Sequence, residues 1–259
     1  MKNSPSVTVS NTLTRSSYSL SLNEKRLLMY AVSEIDKNGM PSQLIEINAI
    51  ECARFYQMSE SSARRHLQSA VDALWDRELV TPDGIGHRWI VSRGKYEEGS
   101  IYLKFHPDLE PQLLSIQSNF TRYFLSRAAD FKLAYTWRIF ELIMQFKTTG
   151  YLKINLDEFK KILDLSSYYD KGFGKVREKV IDPAVKEIRK KDGLKVTWKP
   201  IKKGRSVVAL EFIFPVEPQH DLFKSAPIDK DFIDKHARPG ESYEQAGKRL
   251  KEEAKKQTK

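Results

Sequence analysis

The residues with the richest chemistry lie in one charged stretch, FGKVREKVIDPAVKEIRKK, at residues 173–191. Its glycine-lysine pair also occurs in phosphate-binding loops, but G-x-x-x-x-G-K must continue with Ser or Thr, and here Val176 follows Lys175. The acids Asp157 and Glu158 begin a predicted helix, where they suit the positive end of its dipole. All five histidines are isolated, so none forms the histidine pair with which a nickase binds metal. We therefore expect no active site, no metal and no cofactor.

Positive charge gives the first indication of a partner. The chain carries a net charge of +10. Between Lys171 and Arg205, thirteen Lys and Arg residues stand against four Asp and Glu residues, so this segment alone carries +9. Such a concentration favours an anionic partner over a generally solvated surface. Charge by itself leaves nucleic acid, acidic lipid and acidic protein open as partners.

Length and composition limit the class of protein. The 259 residues, 40% hydrophobic and 11% aromatic, suffice for one large domain or two small ones. No run of about eighteen apolar residues occurs, and the polar N-terminus lacks the hydrophobic region of a signal peptide. The single cysteine, Cys52, allows no internal disulfide and is interpreted as a small packed side chain. We expect a cytoplasmic protein with no membrane partner.

An internal repeat organises the chain. Ile47-Asn48 returns as Ile154-Asn155, at a shift of 107 residues. The apolar positions of a following helix return at a shift of 114, so the turn of the second copy holds seven extra residues. Those positions are Leu67, Ala70, Val71 and Leu74 in the first copy and Ile181, Ala184, Val185 and Ile188 in the second. The alternative is a chance similarity between two unrelated α+β pieces.

Periodicity gives both copies the same order of elements: a helix, a strand, two helices separated by a turn, and two strands. This order is typical of a winged helix, so the predicted fold class is α+β with two tandem winged-helix domains. The second helix of each helix-turn-helix is predicted over residues 61–75 and 173–191. We expect a flexible N-terminus (1–12), a first domain (13–119), a second domain (120–217), and a mobile polar tail (218–259) with a short helix after Ser242.

The outward side chains of these two helices, and of the wings that follow them, are candidate DNA ligands. The second helix of a helix-turn-helix enters the major groove, and Lys or Arg residues on a wing contact phosphates. The first domain supplies Ser61, Ser62, Arg64, Arg65, Gln68, Arg93 and Lys95. The second supplies Lys171, Lys175, Arg177, Glu178, Lys179, Lys186, Lys202, Lys203 and Arg205. Each lysine taken singly also fits a solvated surface, and Arg177 is expected close to the buried edge. Because the second set is richer in cations, we expect more of the binding energy there.

Three stretches carry a family resemblance. LTRSSYSLSLNEKRLLMYAVSEI from Leu13, LKFHPDLEPQLLSIQSNFTRYFLSR from Leu103 and VIDPAVKEI from Val180 are similar to the iteron-binding plasmid replication initiators, and the likeness runs to about Pro215. The resemblance implies a bacterial, plasmid-associated protein that binds double-stranded DNA at repeated origin sites called iterons. It also implies cooperation with host replication initiator and helicase-loading proteins. A homodimer in equilibrium with the monomer, formed through the first domain, is expected to repress its own promoter.

Recognition residues carry over from this family only in part. Lys179 and Arg65 match positions that are usually basic, and Lys171 and Lys175 fall in the basic region before the second helix. Glu178 departs from the pattern, because relatives often have Arg or Lys there. A carboxylate can accept from the cytosine amino group but cannot donate to guanine, so the base read at this position is expected to differ. A transcriptional regulator built from the same two winged helices is the alternative function.

Overall fold

The computed structural model describes residues 5–38, 44–113 and 120–217, together with Gln245 and Arg249. The predicted mobile tail (218–259) and its helix after Ser242 lie outside the described residues, except for Gln245 and Arg249. The chain up to Val216 belongs to one compact unit. Throughout the described ranges, no helix has the length and apolar character needed to cross a membrane.

The N-terminal segment differs from the flexible extension predicted for residues 1–12. Strand β1 (Ser6–Ser10) lies antiparallel to Phe120–Phe124, and helix α1 (Asn11–Arg15) follows it directly. Val7 and Val9 alternate with polar residues and are fully buried, which is the pattern of a half-buried strand. The prediction missed β1 because the strand takes its hydrogen-bonding partner from a distant part of the chain.

Helix α2 (Leu22–Asn38) begins the first winged-helix domain. Its start is set by a reciprocal cap, in which the Ser21 and Glu24 backbone N–H groups donate to each other's side-chain oxygens. The domain continues with β2 (Ile45–Asn48), α3 (Ala49–Phe55), α4 (Glu60–Trp75), β3 (Glu78–Val80), β4 (Gly86–Arg88), β5 (Ile90–Arg93), β6 (Ser100–Phe105) and α5 (Glu110–Leu113). An antiparallel sheet of order β2-β6-β5 carries the wing between β5 and β6. The predicted helix-turn-helix is formed by α3 and α4.

The sequence of α4 fixes both its start and its buried face. Ser59 caps the helix by accepting from the Ser62 N–H. The buried residues recur at helical spacing and are the ones expected from the pattern: Ala63, Leu67, Ala70, Val71 and Leu74. Because this stripe packs into the core, the opposite stripe of α4 is left for a ligand.

A connecting region, β7 (Phe120–Phe124) and α6 (Ala134–Met144), leads into the second winged helix. That domain comprises β8 (Tyr151–Asn155), α7 (Leu156–Ile162), α8 (Phe173–Val176), α9 (Asp182–Lys191), β9 (Thr197–Lys203) and β10 (Ser206–Ile213). Its sheet has the order β8-β10-β9, with the wing between β9 and β10. The seven extra residues of the predicted turn are accommodated by a 3-10 turn, Ser167–Lys171.

The helix predicted over residues 173–191 contains an irregular turn. A π-helical turn, Arg177–Ile181, joins α8 to α9, and the Asp182 N–H donates to the Arg177 carbonyl five residues earlier. Pro183 follows at once. Proline has no N–H, and its ring clashes with the carbonyl four residues before it, so a wider turn accommodates it where a regular α-turn would not. The buried stripe of Val176, Val180, Ile181, Ala184, Val185 and Ile188 nevertheless stays continuous across the turn.

Candidate DNA-binding surface

The outward stripe of α4 presents small donors beside two arginines. Ser61, Arg64 and Arg65 are exposed, whereas Ser62 and Gln68 are half-buried. The Ser59 hydroxyl lies 2.8 Å from the Ser62 hydroxyl, so the serines at the start of the helix are already hydrogen-bonded to one another. Of the two arginines, Arg64 lies over an aromatic ring of the wing, whereas Arg65 has no ion-pair partner and no ring contact among the described residues.

The wing of the first domain is folded back onto α4. The Tyr96 N–H donates to Gln68 Oε1 over 2.8 Å, and Gln68 Nε2 donates to Asp72 over 3.1 Å. Arg93 donates to the same carboxylate of Asp72 over 2.7 Å. The Arg64 guanidinium lies 4.7 Å from the centre of the Tyr96 ring, within range of a cation–π contact. Helix and wing therefore form one groove, which Lys95 also lines.

The second helix presents a row of exposed charges. The exposed fractions of the Lys175, Glu178 and Lys179 side chains are 48%, 59% and 52%. Arg177, expected close to the buried edge, is 63% exposed, so that expectation was wrong. The wide π-turn places Arg177 away from the core, where its Nε donates to Asp182 over 3.1 Å. Asp182 also accepts from Trp198 Nε1 on β9, which ties this helix to the base of its wing.

Glu178 lies between two of the cations. Its carboxylate is 2.9 Å from Lys179 Nζ and 4.0 Å from Lys175 Nζ. The hydrogen bond from Lys179 lowers the pKa of the Glu178 carboxyl, and the same hydrogen bond raises the pKa of Lys179. Both groups are therefore ionised at neutral pH, and the acidic residue partly neutralises the row of lysines around it.

The second wing carries uncompensated positive charge. Lys202, Lys203 and Arg205 surround Gly204 at the tip, where Gly204 has a φ of +62° that a tight turn requires. All three cations are exposed, and none has an ion-pair partner within the described ranges. Lys199, lower on the same wing, is instead held 2.7 Å from Glu211.

The two remaining candidates lie just before the second helix and within its last segment, α9. Lys171 is the last residue of the 3-10 turn that precedes α8. Lys186 is exposed on α9, where it lines a groove with Arg189, Lys190 and Trp198. The predicted residues of the second domain thus lie on the turn, on the helix and on the wing.

Sequence reasoning missed the side chains that connect helix to wing. Asp72 and Tyr96 hold the first pair together, and Asp182 and Trp198 hold the second. The spacing of Gln68 and Asp72, four residues apart on one helix, is the signal that could have revealed the first pair. Nothing in the sequence aligns Trp198 with Asp182, because that contact depends on how the sheet packs against the helix.

The described residues also bear on the expectation of no active site. In this part of the chain, no group of three or more His, Cys, Asp or Glu side chains is placed to hold a metal ion. Cys52 is buried and unpaired, and burial raises the pKa of its thiol to about 12.

Two family models match this chain, one for each winged helix. The model for the first winged helix of the initiator replication proteins matches residues 6–144, and the model for the second winged helix of initiator Rep proteins matches residues 155–214. The two models divide the chain between residues 144 and 155, whereas the sequence repeat places the division at residue 119. By the family models, α6 belongs to the first domain.

Individual relatives agree with these models. A replication initiation protein of Escherichia coli is 25% identical over 226 residues, covering 82% of this chain and 70% of its own length. A probable replication protein of Bifidobacterium longum is 28% identical over 109 residues, covering 42% of this chain and 37% of its own. The crystal structure of the Pi initiator protein in complex with iteron DNA has a similar fold, with a TM-score of 0.71 at 22% identity, covering 85% of this chain and all of that one.

These observations fix the class and then the family. Two consecutive helix-turn-helix units, each followed by a β-ribbon wing, define a tandem winged-helix protein. The first family model alone covers more than half of the 259 residues. The chain belongs to the family of initiator replication proteins, which confirms the resemblance drawn from its sequence.

Proposed function

We propose that this protein initiates plasmid replication by binding double-stranded DNA at iterons in the origin. One observation carries the proposal: within a replication-initiator fold, the exposed cations of the second domain follow its recognition helix and wing. These exposed cations are Lys175, Lys179, Lys202, Lys203 and Arg205. The relative with a similar fold was crystallised with iteron DNA, which supports the same class of ligand for this chain.

The proposed roles follow from reach and charge. Side chains of α4 and of α8–α9 contact base edges in two successive stretches of major groove, because a recognition helix exposes its outward stripe there. These side chains are Ser61, Ser62, Arg64, Arg65 and Gln68 in the first domain and Lys175, Arg177, Glu178, Lys179 and Lys186 in the second. Arg93, Lys95, Lys171, Lys202, Lys203 and Arg205 contact phosphates, which contributes affinity that depends on salt but not on base sequence.

The assembly around this DNA complex is also part of the proposal. Monomers bind the origin together with host replication initiator and helicase-loading proteins, and a homodimer formed through the first domain represses the protein's own promoter. The protein acts in the bacterial cytoplasm, associated with its plasmid, and performs no chemistry of its own. The division of labour between monomer and dimer predicts two kinds of DNA site: direct repeats at the origin and an inverted repeat at the promoter.

A footprint and a replication assay test the proposal. DNase protection on the DNA flanking the gene should reveal direct repeats, and a plasmid carrying those repeats should replicate when the protein is supplied in trans. Tight binding to an operator without replication would favour a transcriptional regulator instead. Nicking of supercoiled origin DNA in the presence of divalent metal ions would contradict the absence of enzymatic activity.

A further inference from the structure

Helix α6 begins without a cap from its own sequence. Leu133 stands at the N-cap position and makes no side-chain hydrogen bond there. Glu187 of α9 supplies the missing acceptor: its carboxylate accepts from Lys132 N–H over 2.7 Å, from Leu133 N–H over 3.3 Å and from the Thr136 hydroxyl over 2.6 Å. A carboxylate at this position satisfies unpaired backbone donors and suits the helix dipole. A residue of the second recognition helix thus caps a helix of the first domain.

A second carboxylate holds the same part of α9. Asp192, at the end of the helix, accepts from Arg127 Nε and Nη2, both over 2.7 Å. The Asp192 side chain is only 3% exposed, and a guanidinium that donates through two nitrogens fixes orientation as well as distance. Arg127 lies in the segment just before α6. Two carboxylates therefore join α9 to the region around the start of α6.

Helix α6 is fixed to the first domain by buried charges. Lys25 of α2 lies 2.8 Å from Glu141 of α6, and both side chains are 2% exposed. Arg138 of α6 donates to the Tyr18 hydroxyl and, over 2.8 Å, to the Ser16 carbonyl. Buried charges with these partners tolerate few other arrangements, because leaving one unpaired is costly. Helix α6 therefore connects the first domain to α9 as a rigid element.

We infer that Glu187 is a positioning residue, which sets the second recognition helix at a fixed place relative to the first so that the protein measures the separation of the two base-pair stretches it reads. The inference rests on the proposed function. One added base pair moves the second stretch by about 3.4 Å along the DNA and by about 35° around it. A rigidly joined pair of helices cannot follow both changes, whereas a loosened pair can.

The first test measures the distance between the domains without DNA. Spin labels are attached at Asp76→Cys, at the end of α4, and at Lys161→Cys, in the last turn of α7. Cys52 is buried with a raised thiol pKa and does not compete for the label. Glu187→Ala should broaden the electron-resonance distance distribution, and Glu187→Gln, which retains one acceptor oxygen, should broaden it less. A distribution for Glu187→Ala that superimposes on the wild type overturns the inference.

The second test measures spacing selectivity. Affinity is compared for an iteron and for the same iteron with one base pair inserted between the two protected stretches. The ratio of the two affinities should fall about five-fold or more in Glu187→Ala. It should fall less in Thr136→Val, which removes a single hydrogen bond from the other side of the contact. Thr136→Val keeps the test decisive if the alanine variant folds poorly.

Glu211→Gln is the matched control for both tests. It removes one negative charge from the same domain, but Glu211 is bonded to Lys199 and Tyr151 within the second sheet. Its distance distribution and its affinity ratio should equal those of the wild type. An unchanged ratio in both Glu187→Ala and Thr136→Val contradicts the inference. Failure of the wild type to bind any iteron contradicts the proposed function instead, and the distance measurement still decides the role of Glu187.

Discussion

The candidate DNA-binding surfaces of the two domains share a fold, but their side chains differ in how many partners they have within the protein. In the first domain, Gln68 and Arg93 are hydrogen-bonded to partners across the groove between helix and wing. In the second, Lys202, Lys203 and Arg205 at the wing tip lack ion-pair partners in the described part of the chain. One surface is organised before DNA arrives, and the other holds charge that DNA can neutralise.

This difference assigns the two domains different shares of the binding energy. Cations already paired inside the protein must exchange one partner for another when phosphate approaches, so they contribute little net affinity. Unpaired cations release counterions from DNA and contribute directly. We therefore expect the second domain to supply most of the salt-dependent affinity and the first to supply geometry.

Removal of the second wing tip should have the largest effect. Replacing Lys202, Lys203 and Arg205 together with Ala should weaken binding to every sequence, on the order of 100-fold at about 0.15 M salt, because three phosphate contacts are lost. The slope of log affinity against log salt should become shallower by about 2.7. Fluorescence anisotropy across a salt series measures both quantities.

The first wing is the comparison for this experiment. Replacing Arg93 and Lys95 with Ala should change the affinity and the salt slope less, because Arg93 is already bonded to Asp72. Equal losses of affinity from the two wings would show that the pairing of Arg93 with Asp72 does not persist on DNA. The two domains would then not differ in how their cations contribute to binding.

Loss of one base contact should have the next largest effect. Lys179→Ala should lower affinity for the iteron on the order of ten-fold while barely changing affinity for scrambled DNA, if Lys179 donates to a base edge. Lys199→Ala is the control, since that lysine has the same charge and is held by Glu211 on the sheet. A similar loss of affinity for both DNA sequences would show that Lys179 contacts phosphate and not a base.

In the first domain, loss of organisation should matter more than loss of charge. Gln68→Ala removes the acceptor for Tyr96 N–H and so weakens the attachment of the wing to α4, and affinity should fall about five-fold. The salt slope should stay constant, because no charge is removed. A shallower slope for this neutral substitution would contradict the view that the first groove contributes through geometry.

The smallest effect is expected at Glu178. Glu178→Gln removes the carboxylate beside Lys175 and Lys179, so affinity for scrambled DNA should rise about two- to three-fold at low salt. Affinity for the iteron should rise less or fall, since the proposed acceptor for a base is weakened. Competition assays with the two DNA sequences measure this difference, and an equal rise on both would remove Glu178 from the base-reading set.

Much of the architecture could be predicted from the sequence. The periodicity of Ala63, Leu67 and Leu74 predicted α4 and its buried stripe. The repeat of that pattern at Ile181 and Ile188 predicted the second recognition helix. The winged-helix class and the initiator family were both confirmed. The winged-helix elements could be predicted because they depend on local spacing along one helix or one hairpin, which the chain carries without reference to its other parts. The family was identified from the resemblance of three stretches to known initiators.

Other features depended on contacts between distant segments. β1 escaped prediction because its partner strand begins at Phe120. The exposure of Arg177 escaped it because a regular 100° spacing does not hold through a π-turn.

The sequence by itself determined that this protein is a basic pair of winged helices with its charge concentrated in the second. Hydrophobic period and charge run are properties of consecutive residues, so they can be read directly. Only the tertiary structure decided which cations are free and how the two recognition helices are joined. Pairing of Arg93 with Asp72 and capping of α6 by Glu187 require residues far apart in sequence to meet, and packing alone brings them together.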